Sequence, residues 1–114
     1  MPDISQHFSR KEFECSCGCG FDTVDALLLE ALEAIREHFS SPITVTSGCR
    51  CPAYNNSIGG VQKSQHIRGR AADIQVKDVE PSEVARFAEE LGMSVGSYNS
   101  FTHVDSRTGP TVQW

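Results

Sequence analysis

The amino-acid sequence predicts an α+β fold in which a small antiparallel sheet packs against helices. Apolar residues recur at helical spacing between residues 24 and 39, which predicts an amphipathic helix. Alternating apolar and polar residues at 43–47, and a second apolar stretch at 71–76, predict two strands. A further helical pattern at 81–91 lies between predicted strands, and this mixed order of elements is typical of the α+β class.

Length and charge limit what the protein can be. The 114 residues are expected to form one domain, residues 1–114, because no linker, repeat or low-complexity segment divides them. Fifteen acidic against ten basic residues give a net charge of -5, which argues against nucleic-acid binding and against a polybasic membrane anchor. We find no apolar run of about 18 residues and no secretory signal pattern, so we expect cytoplasmic synthesis. We also expect a monomer.

The N-terminal part is predicted to contain a short helical turn and then the main helix. Ser9 and Glu12 have the spacing of a capping box. Asp22 or Thr23 can cap the main helix, and Pro42 follows its end. The apolar stripe of this helix, which should face the core, consists of Val24, Leu27, Leu28, Ala31, Leu32, Ile35 and Phe39.

Turns and loops separate the remaining elements. Residues 48–69 are predicted as turns and loop, apart from a short helix at 53–57. Two more strands are predicted at 97–106 and 111–114, with a turn at 108–110. The residues of the strand 71–76 that should face the core are Ala72, Ile74 and Val76. The inward positions of the helix 81–91 are Val84, Phe87, Ala88 and Leu91.

Two of the four histidines, His7 and His38, are expected at the surface. His66 differs because it lies in a glycine-flanked loop shortly before Asp73, a carboxylate inside an otherwise apolar strand. Burying such a carboxylate is costly unless something pairs with it. Either a nearby arginine satisfies Asp73, or Asp73 and His66 are metal ligands. The arginines in question are Arg68 and Arg70.

A second histidine–aspartate pair follows about thirty residues after Asp73. In a strand, His103 and Asp105 project from the same face as Phe101, and Val104 points to the other face. Two histidines and one aspartate form a suitable ligand set for catalytic zinc and leave the fourth position for water. The spacing alone equally permits an ordinary structural His–Asp pair in each segment, so both interpretations stay open.

One motif spans both pairs: Ser64-x-His66-x-x-Gly69-x-Ala71-x-Asp73, followed by His103-Val-Asp105. It resembles the motif of the zinc D-alanyl-D-alanine carboxypeptidase family, which includes phage L-alanyl-D-glutamate endolysins. Hedgehog signalling domains share the fold of that family. The upstream Ser47-Gly-Cys-Arg50 also resembles the Ser-Gly-x-Arg turn of the family. The resemblance covers nearly the whole chain and implies a hedgehog-type zinc peptidase fold.

The resemblance also implies a role for each matching residue. His66, Asp73 and His103 would hold one catalytic zinc ion. Arg50 would bind a peptide carboxylate or polarise the scissile carbonyl, for which its guanidinium fork is suited, unless it forms only a structural salt bridge. Ser64 would hydrogen-bond within the ligand loop and bind substrate alongside Arg50.

The general base is the point at which this sequence departs from the family. Many members carry a carboxylate three residues before the third ligand, where this chain has Ser100. Asp105 is the replacement candidate because it shares a strand face with His103. In that role it would take a proton from the attacking water and deliver it to the leaving amine.

Five cysteines are present, so at least one cannot pair within the chain. Three alternatives are open for them. The cysteines form a second, structural zinc site, or one or two disulfides join the two groups of cysteines, or the thiols stay reduced. No pattern supplies a cysteine with a catalytic partner. The two groups are Cys15, Cys17 and Cys19, and Cys49 and Cys51.

The expected function is that of a zinc metallopeptidase that hydrolyses a peptide bond in bacterial peptidoglycan stem peptides. It would act as a DD-carboxypeptidase or as an endolysin-type endopeptidase. A phage or prophage enzyme that reaches the cell wall after release would match the resemblance. The alternative is a non-catalytic, zinc-stabilised module that recognises cell-wall peptide or a partner in a phage particle.

Overall fold

In the residues that it describes, the computed structural model has three helices and a four-stranded sheet. The described residues are 4–15, 24–48, 50, 52–59, 65–107 and 110–114. The helices are α1 (Ala26–Phe39), α2 (Pro52–Ser57) and α3 (Pro81–Glu90), with 3-10 turns at Arg10–Phe13 and Gln65–Arg68. The strands are β1 (Ile43–Ser47), β2 (Ala71–Val76), β3 (Ser94–Ser97) and β4 (Thr102–Asp105). This architecture confirms the predicted α+β class.

The sheet has the strand order β1-β2-β4-β3, and each neighbouring pair is antiparallel. Strands β2 and β4 therefore lie at its centre. In their register Asp73 pairs with His103, and Ala72 pairs with Val104. Because side chains alternate between the faces of a strand, the two polar residues project from one face and the two apolar residues from the other.

The core lies between the apolar face of the sheet and the helices α1 and α3. The predicted inward residues Ala72, Ile74 and Val76 are all buried there, as is Val104. The remaining members of this core are Phe8, Phe13, Leu28, Leu32, Ile35, Val84, Ala85, Ala88 and Val95. The helices thus cover the side of the sheet opposite to Asp73 and His103, and the polar face stays available for a site.

The main helix begins later than the sequence predicts. Its cap is Asp25, whose carboxylate accepts from the backbone N–H groups of Leu27 and Leu28. The prediction of Asp22 or Thr23 was wrong because tertiary contacts select Asp25. Its N–H donates to the carbonyl of Gly69, and its carboxylate accepts from the Ser106 hydroxyl.

Two residues of the predicted apolar faces are exposed. Leu27 is 59% exposed in the first turn of α1, and Leu91 is 37% exposed just after α3. Leu27 stands two residues after the cap Asp25, and Leu91 is the C-cap of α3, so both lie at helix ends. Both predictions of burial were wrong.

The predicted strand 97–106 is only partly confirmed: its second half forms β4, whereas β3 lies before it and shares only Ser97 with it. The chain reverses between them, where the N–H of Tyr98 donates to the carbonyl of Phe101. Residues 111–114 form a parallel bridge to β3 rather than a full strand, with Val95 opposite Gln113. The short helix predicted at 53–57 and the helix at 81–91 are confirmed as α2 and α3.

The longest helix of the described part, α1, has 14 residues. No helix in that part combines the length and apolarity that crossing a bilayer requires.

Candidate metal centre

Three residues from different elements converge on the polar face of the sheet. His66 comes from the 3-10 turn Gln65–Arg68, Asp73 from β2 and His103 from β4. Nδ1 of His103 lies 2.9 Å from Oδ1 of Asp73, and Nε2 of His66 lies 3.4 Å from the same oxygen. All three residues are buried, and they offer ligand atoms within 4.8 Å of one another. The structure thus brings together the three residues that the sequence singled out as ligands.

The second nitrogen of each imidazole contacts a hydrogen-bond acceptor that orients the ring. Nδ1 of His66 lies 2.6 Å from the carbonyl oxygen of Gly48, and Nε2 of His103 lies 2.8 Å from Oδ2 of Asp105. Since both partners accept hydrogen bonds, each of these nitrogens donates. The nitrogens that remain beside Asp73, Nε2 of His66 and Nδ1 of His103, can donate a hydrogen bond to its carboxylate when protonated or bind a metal ion when they are not.

This donor set fits a zinc ion. Two imidazole nitrogens and one carboxylate oxygen are the protein ligands of many catalytic zinc sites. Burial raises the pKa of Asp73, but hydrogen bonds from His103 and His66 outweigh it and hold the pKa well below its ordinary value. Burial lowers the pKa of His103, yet hydrogen bonds with Asp105 and Asp73 raise it above its ordinary value. Both directions show that these surroundings favour positive charge next to Asp73.

A close backbone contact explains the glycine that holds His66. A Cβ atom at Gly48 would lie 2.6 Å from Cα of Phe13 and 2.8 Å from its carbonyl oxygen. Any side chain at this position would collide with the turn Arg10–Phe13. The glycine lets the loop approach that turn, and its carbonyl then reaches the ring of His66.

Asp105 lies behind His103 rather than in front of the ligands. Its side chain is fully buried, and Arg107 binds it through Nε at 2.9 Å and Nη2 at 2.7 Å. Burial raises the pKa of Asp105, but hydrogen bonds with Arg107 and His103 outweigh it and lower the pKa. With both oxygens paired and none exposed, this carboxylate is poorly placed to exchange protons with a water at the ligands. These contacts suit a role in positioning His103, and the role of Asp105 as base stays a prediction.

Arg107 was missed by the sequence analysis. It stands two residues after Asp105, just beyond the end of β4, and its backbone N–H also donates to Oδ1 of Asp105. The hydrogen bond to Asp105 raises the pKa of Arg107 above its ordinary value. An arginine two residues after an aspartate was the signal available in the sequence.

Arg50 lies beside the ligand carboxylate. Its Nη2 is 3.6 Å from Oδ2 of Asp73, while Nη1 donates to Oδ1 of Asn55 at 3.2 Å and Nε to Oγ of Ser47 at 3.3 Å. Asn55 is 2% exposed and was also missed by the sequence analysis, although it follows Arg50 by five residues on α2. This geometry accommodates both the substrate-binding role and the structural salt bridge.

The other histidines lie in separate contacts. Nδ1 of His7 is 2.6 Å from Oε1 of Glu33, and the ring of the exposed His38 stacks on Phe87 with centroids 3.9 Å apart. The described partners of Asp73 are the two histidines and Arg50, not Arg70. The side chain of Arg68 lies outside what the structure describes.

Several predicted residues fall outside the described part of the chain. Cys15 is described and buried, with 1% exposure. Ser100, the residue that the sequence analysis found in place of the expected acid, is exposed, and its carbonyl accepts from Nε2 of Gln75. The candidate site residues that lie outside the described part are Ser64, Cys17, Cys19, Cys49 and Cys51. The alternatives for the cysteines and the role of Ser64 stay predictions.

Known proteins are similar to this chain in sequence or in fold. A family model described as Peptidase M15 matches residues 6–105. A zinc D-Ala-D-Ala carboxypeptidase of Streptomyces albus G is 34% identical over 85 residues, which are 68% of this chain and 33% of that protein. The chain thus spans about a third of the length of this curated relative.

A solved structure supports the same fold. The L-Ala D-Glu endopeptidase ChiX of Serratia marcescens superposes with a TM-score of 0.52 at 19% identity, over 74% of this chain and 80% of that one. At this identity the likeness concerns the fold alone. Since the family match covers most of the sequence, including all three candidate ligands, this chain belongs to the peptidase M15 family.

Proposed function

We propose that this protein is a zinc-dependent peptidase that hydrolyses a peptide bond in peptidoglycan stem peptides. The observation that carries the proposal is the convergence of Nε2 of His66 and Nδ1 of His103 on the same carboxylate oxygen of Asp73. Their other nitrogens are held by Gly48 and Asp105. The membership in the M15 family and the names of the two relatives support the substrate class.

His66, Asp73 and His103 would hold the zinc ion. When bound, zinc would supply Lewis acidity, which polarises a scissile carbonyl and lowers the pKa of water towards neutrality. The hydrogen bonds from the two imidazoles to Gly48 and Asp105 would keep the rings oriented, so that binding the ion requires little rearrangement.

Arg50 would contact the substrate. Asn55 and Ser47 hold two of its nitrogens, so the guanidinium group has a defined orientation beside the ligand carboxylate. A planar cation in this place can bind a peptide carboxylate or stabilise negative charge that develops on the carbonyl oxygen. The two roles differ in where the charged group of the substrate must lie, so a change of substrate can distinguish them.

Two reaction types share this site. A carboxypeptidase would release the terminal D-alanine, as the name of the Streptomyces relative states for that protein, and an endopeptidase would cut within the stem. We propose hydrolysis of one of these bonds in the cell wall, with a phage-type endolysin as the biological setting. A zinc-stabilised module that only recognises the stem peptide is the second candidate, favoured by Ser100 in place of an acid.

The test is digestion of purified stem peptides followed by mass spectrometry. We expect cleavage by the zinc-loaded protein, its loss with a chelator, and its return when zinc is added. The mass of the products distinguishes release of D-alanine from a cut between L-alanine and D-glutamate. Asp73→Ala is the inactive control, and Asp78→Ala in the turn after β2 is the matched control that should remain active. Stoichiometric zinc binding without any cleavage would support the module instead.

A further inference from the structure

The indole of Trp114 stands beside the candidate metal centre. Its ring centroid lies 4.9 Å from that of His103, with an angle of 46° between the ring planes. Trp114 is 47% exposed, while His103 is buried. The indole therefore forms a side of the centre that solvent, and a ligand, can reach.

The position of the indole depends on a glycine. Gly96 of β3 pairs directly with His103 of β4, so the two residues share a face of the sheet. A Cβ atom at Gly96 would lie 2.5 Å from Cε2 and from Nε1 of Trp114. The indole thus occupies the space next to His103 that a side chain at residue 96 would fill.

Further contacts hold the indole in this place. Nε1 of Trp114 donates to the hydroxyl oxygen of Tyr98 at 2.6 Å. The N–H of Trp114 donates to the carbonyl of Val95, and the N–H of Ser97 donates to the carbonyl of Trp114. The guanidinium carbon of Arg107 lies 5.5 Å from the indole centroid. A large side chain is thus fixed on both its backbone and its ring while half of its surface stays exposed.

The neighbouring aromatic residue extends the same surface. Tyr98 is 43% exposed, and its ring stacks on Phe101 with centroids 4.4 Å apart. Exposed aromatic rings with fixed orientation and a polar group at one end are suited to binding a ligand that has both apolar and polar parts. A flat indole offers a contact for a methyl group and for a planar peptide unit.

We propose that Trp114 contacts the substrate and holds the small apolar residue next to the scissile bond of the stem peptide. This inference rests on the proposed function. In this arrangement the indole and His103 border the same space, so a peptide at the metal centre packs an alanyl methyl group against the ring. Trp114 contributes to substrate specificity and orients the substrate, and it is not a metal ligand.

The sole tryptophan of the chain gives a readout that needs no turnover. Titrating the zinc-loaded protein with a stem peptide that ends in D-Ala-D-Ala should produce a saturable change in tryptophan fluorescence. Calorimetry measures binding of the same peptide independently. Binding seen by calorimetry without a fluorescence change would overturn the inference, and absence of any binding would overturn both the inference and the proposed function.

Variants separate contact with substrate from a structural role. We expect Trp114→Ala to lose about tenfold or more in kcat/KM, mainly through a higher KM, and Trp114→Phe to lose less. Gly96→Ala should have the same effect as Trp114→Ala, because it displaces the indole without changing a ligand. Val112→Ala is the matched control, since Val112 is 42% exposed on the same segment.

Zinc stoichiometry and far-ultraviolet circular dichroism complete the experiment. Both should be unchanged in Trp114→Ala. Loss of zinc from this variant, or kinetic constants within about twofold of the unsubstituted protein, would overturn the inference. A fluorescence change on peptide binding without any cleavage would overturn the proposed enzyme function and leave the contact between Trp114 and the peptide standing.

Discussion

Asp105 binds the nitrogen of His103 that faces away from the candidate metal site. Oδ2 of Asp105 lies 2.8 Å from Nε2 of His103, while Nδ1 on the other side of the ring lies 2.9 Å from Asp73. The ring is thus held at both nitrogens by carboxylates. Since Asp105 is itself held by Arg107, the orientation of His103 depends on a chain of three buried or half-buried groups.

The first prediction concerns this chain. Asp105→Asn should weaken zinc binding about 10- to 100-fold, because the neutral amide is a weaker acceptor for His103 and leaves Arg107 without its counter-charge. Competition with a chromophoric chelator measures the affinity. Ser106→Ala is the control, since the Ser106 hydroxyl binds Asp25 and the backbone of Arg70 instead. Unchanged zinc affinity with turnover lost would return Asp105 to the role of general base.

The second prediction concerns the loop that holds His66. Gly48→Ala should lower the free energy of unfolding by about 1–3 kcal/mol, because the added methyl group collides with the backbone of Phe13. It should also weaken zinc binding, since the carbonyl that fixes His66 must move. Urea unfolding and zinc titration measure the two effects.

Gly59→Ala is an informative comparison for Gly48→Ala. Gly59 has a φ of 71° and nothing near its absent Cβ, so alanine there costs only backbone strain, about 1 kcal/mol. Zinc affinity should be unaffected. Equal losses of zinc affinity in both variants would contradict the assignment of Gly48 to the positioning of His66.

The third prediction concerns Arg50. Asn55→Ala removes the acceptor of Nη1 and should lower kcat/KM about 10- to 100-fold while zinc stays bound, because the guanidinium group loses its fixed orientation. Asn56→Ala, an exposed neighbour on α2, should leave the kinetics unchanged. Normal turnover in Asn55→Ala would favour the purely structural role of Arg50.

The fourth prediction concerns pH and lies away from the site. Burial raises the pKa of Glu33, but hydrogen bonds from Ser5 and His7 outweigh it and lower the pKa below its usual 4.5. A carboxylate with a lowered pKa stabilises the fold above its unfolded pKa, and this stabilisation is lost as the pH falls through the folded pKa. Glu33→Gln should therefore cost about 1.5 kcal/mol at neutral pH, and the cost should shrink below pH 4.5.

Urea unfolding monitored by circular dichroism between neutral and acidic pH measures this difference. Glu37→Gln, an exposed position one turn further along α1, is the control and should have little effect at any pH. A cost for Glu33→Gln that is independent of pH would show that the side chain stabilises the protein by packing rather than by charge.

The ligand set could be predicted from the sequence because it follows local rules. Alternation along a strand places Asp73 opposite to Ala72 and Ile74, and it places His103 opposite to Val104. Antiparallel pairing of β2 and β4 then needs only the correct register to bring Asp73 and His103 together. The helices follow equally from periodicity, within a few residues at their ends.

The residues that surround the ligands could not be predicted in this way. The contact between Arg107 and Asp105 depends on the path of the chain after the end of β4. The contact between Asn55 and Arg50 depends on how α2 packs beside the loop that carries Arg50. The position of Trp114 depends on pairing with β3, which the predicted strand 97–106 did not contain as a separate element. These contacts depend on the paths of loops and chain ends, which leave no period in the sequence.

The segment that carries Trp114 also covers the edge of the sheet that β3 forms. The N–H groups of Val95 and Ser97 on β3 donate to carbonyls of Val112 and Trp114. Open N–H groups on an edge strand are a template for pairing with another chain, which leads to aggregation. The same few residues thus border the metal centre and cover this edge, so a truncation designed to widen the space beside His103 would also make the protein more prone to self-association.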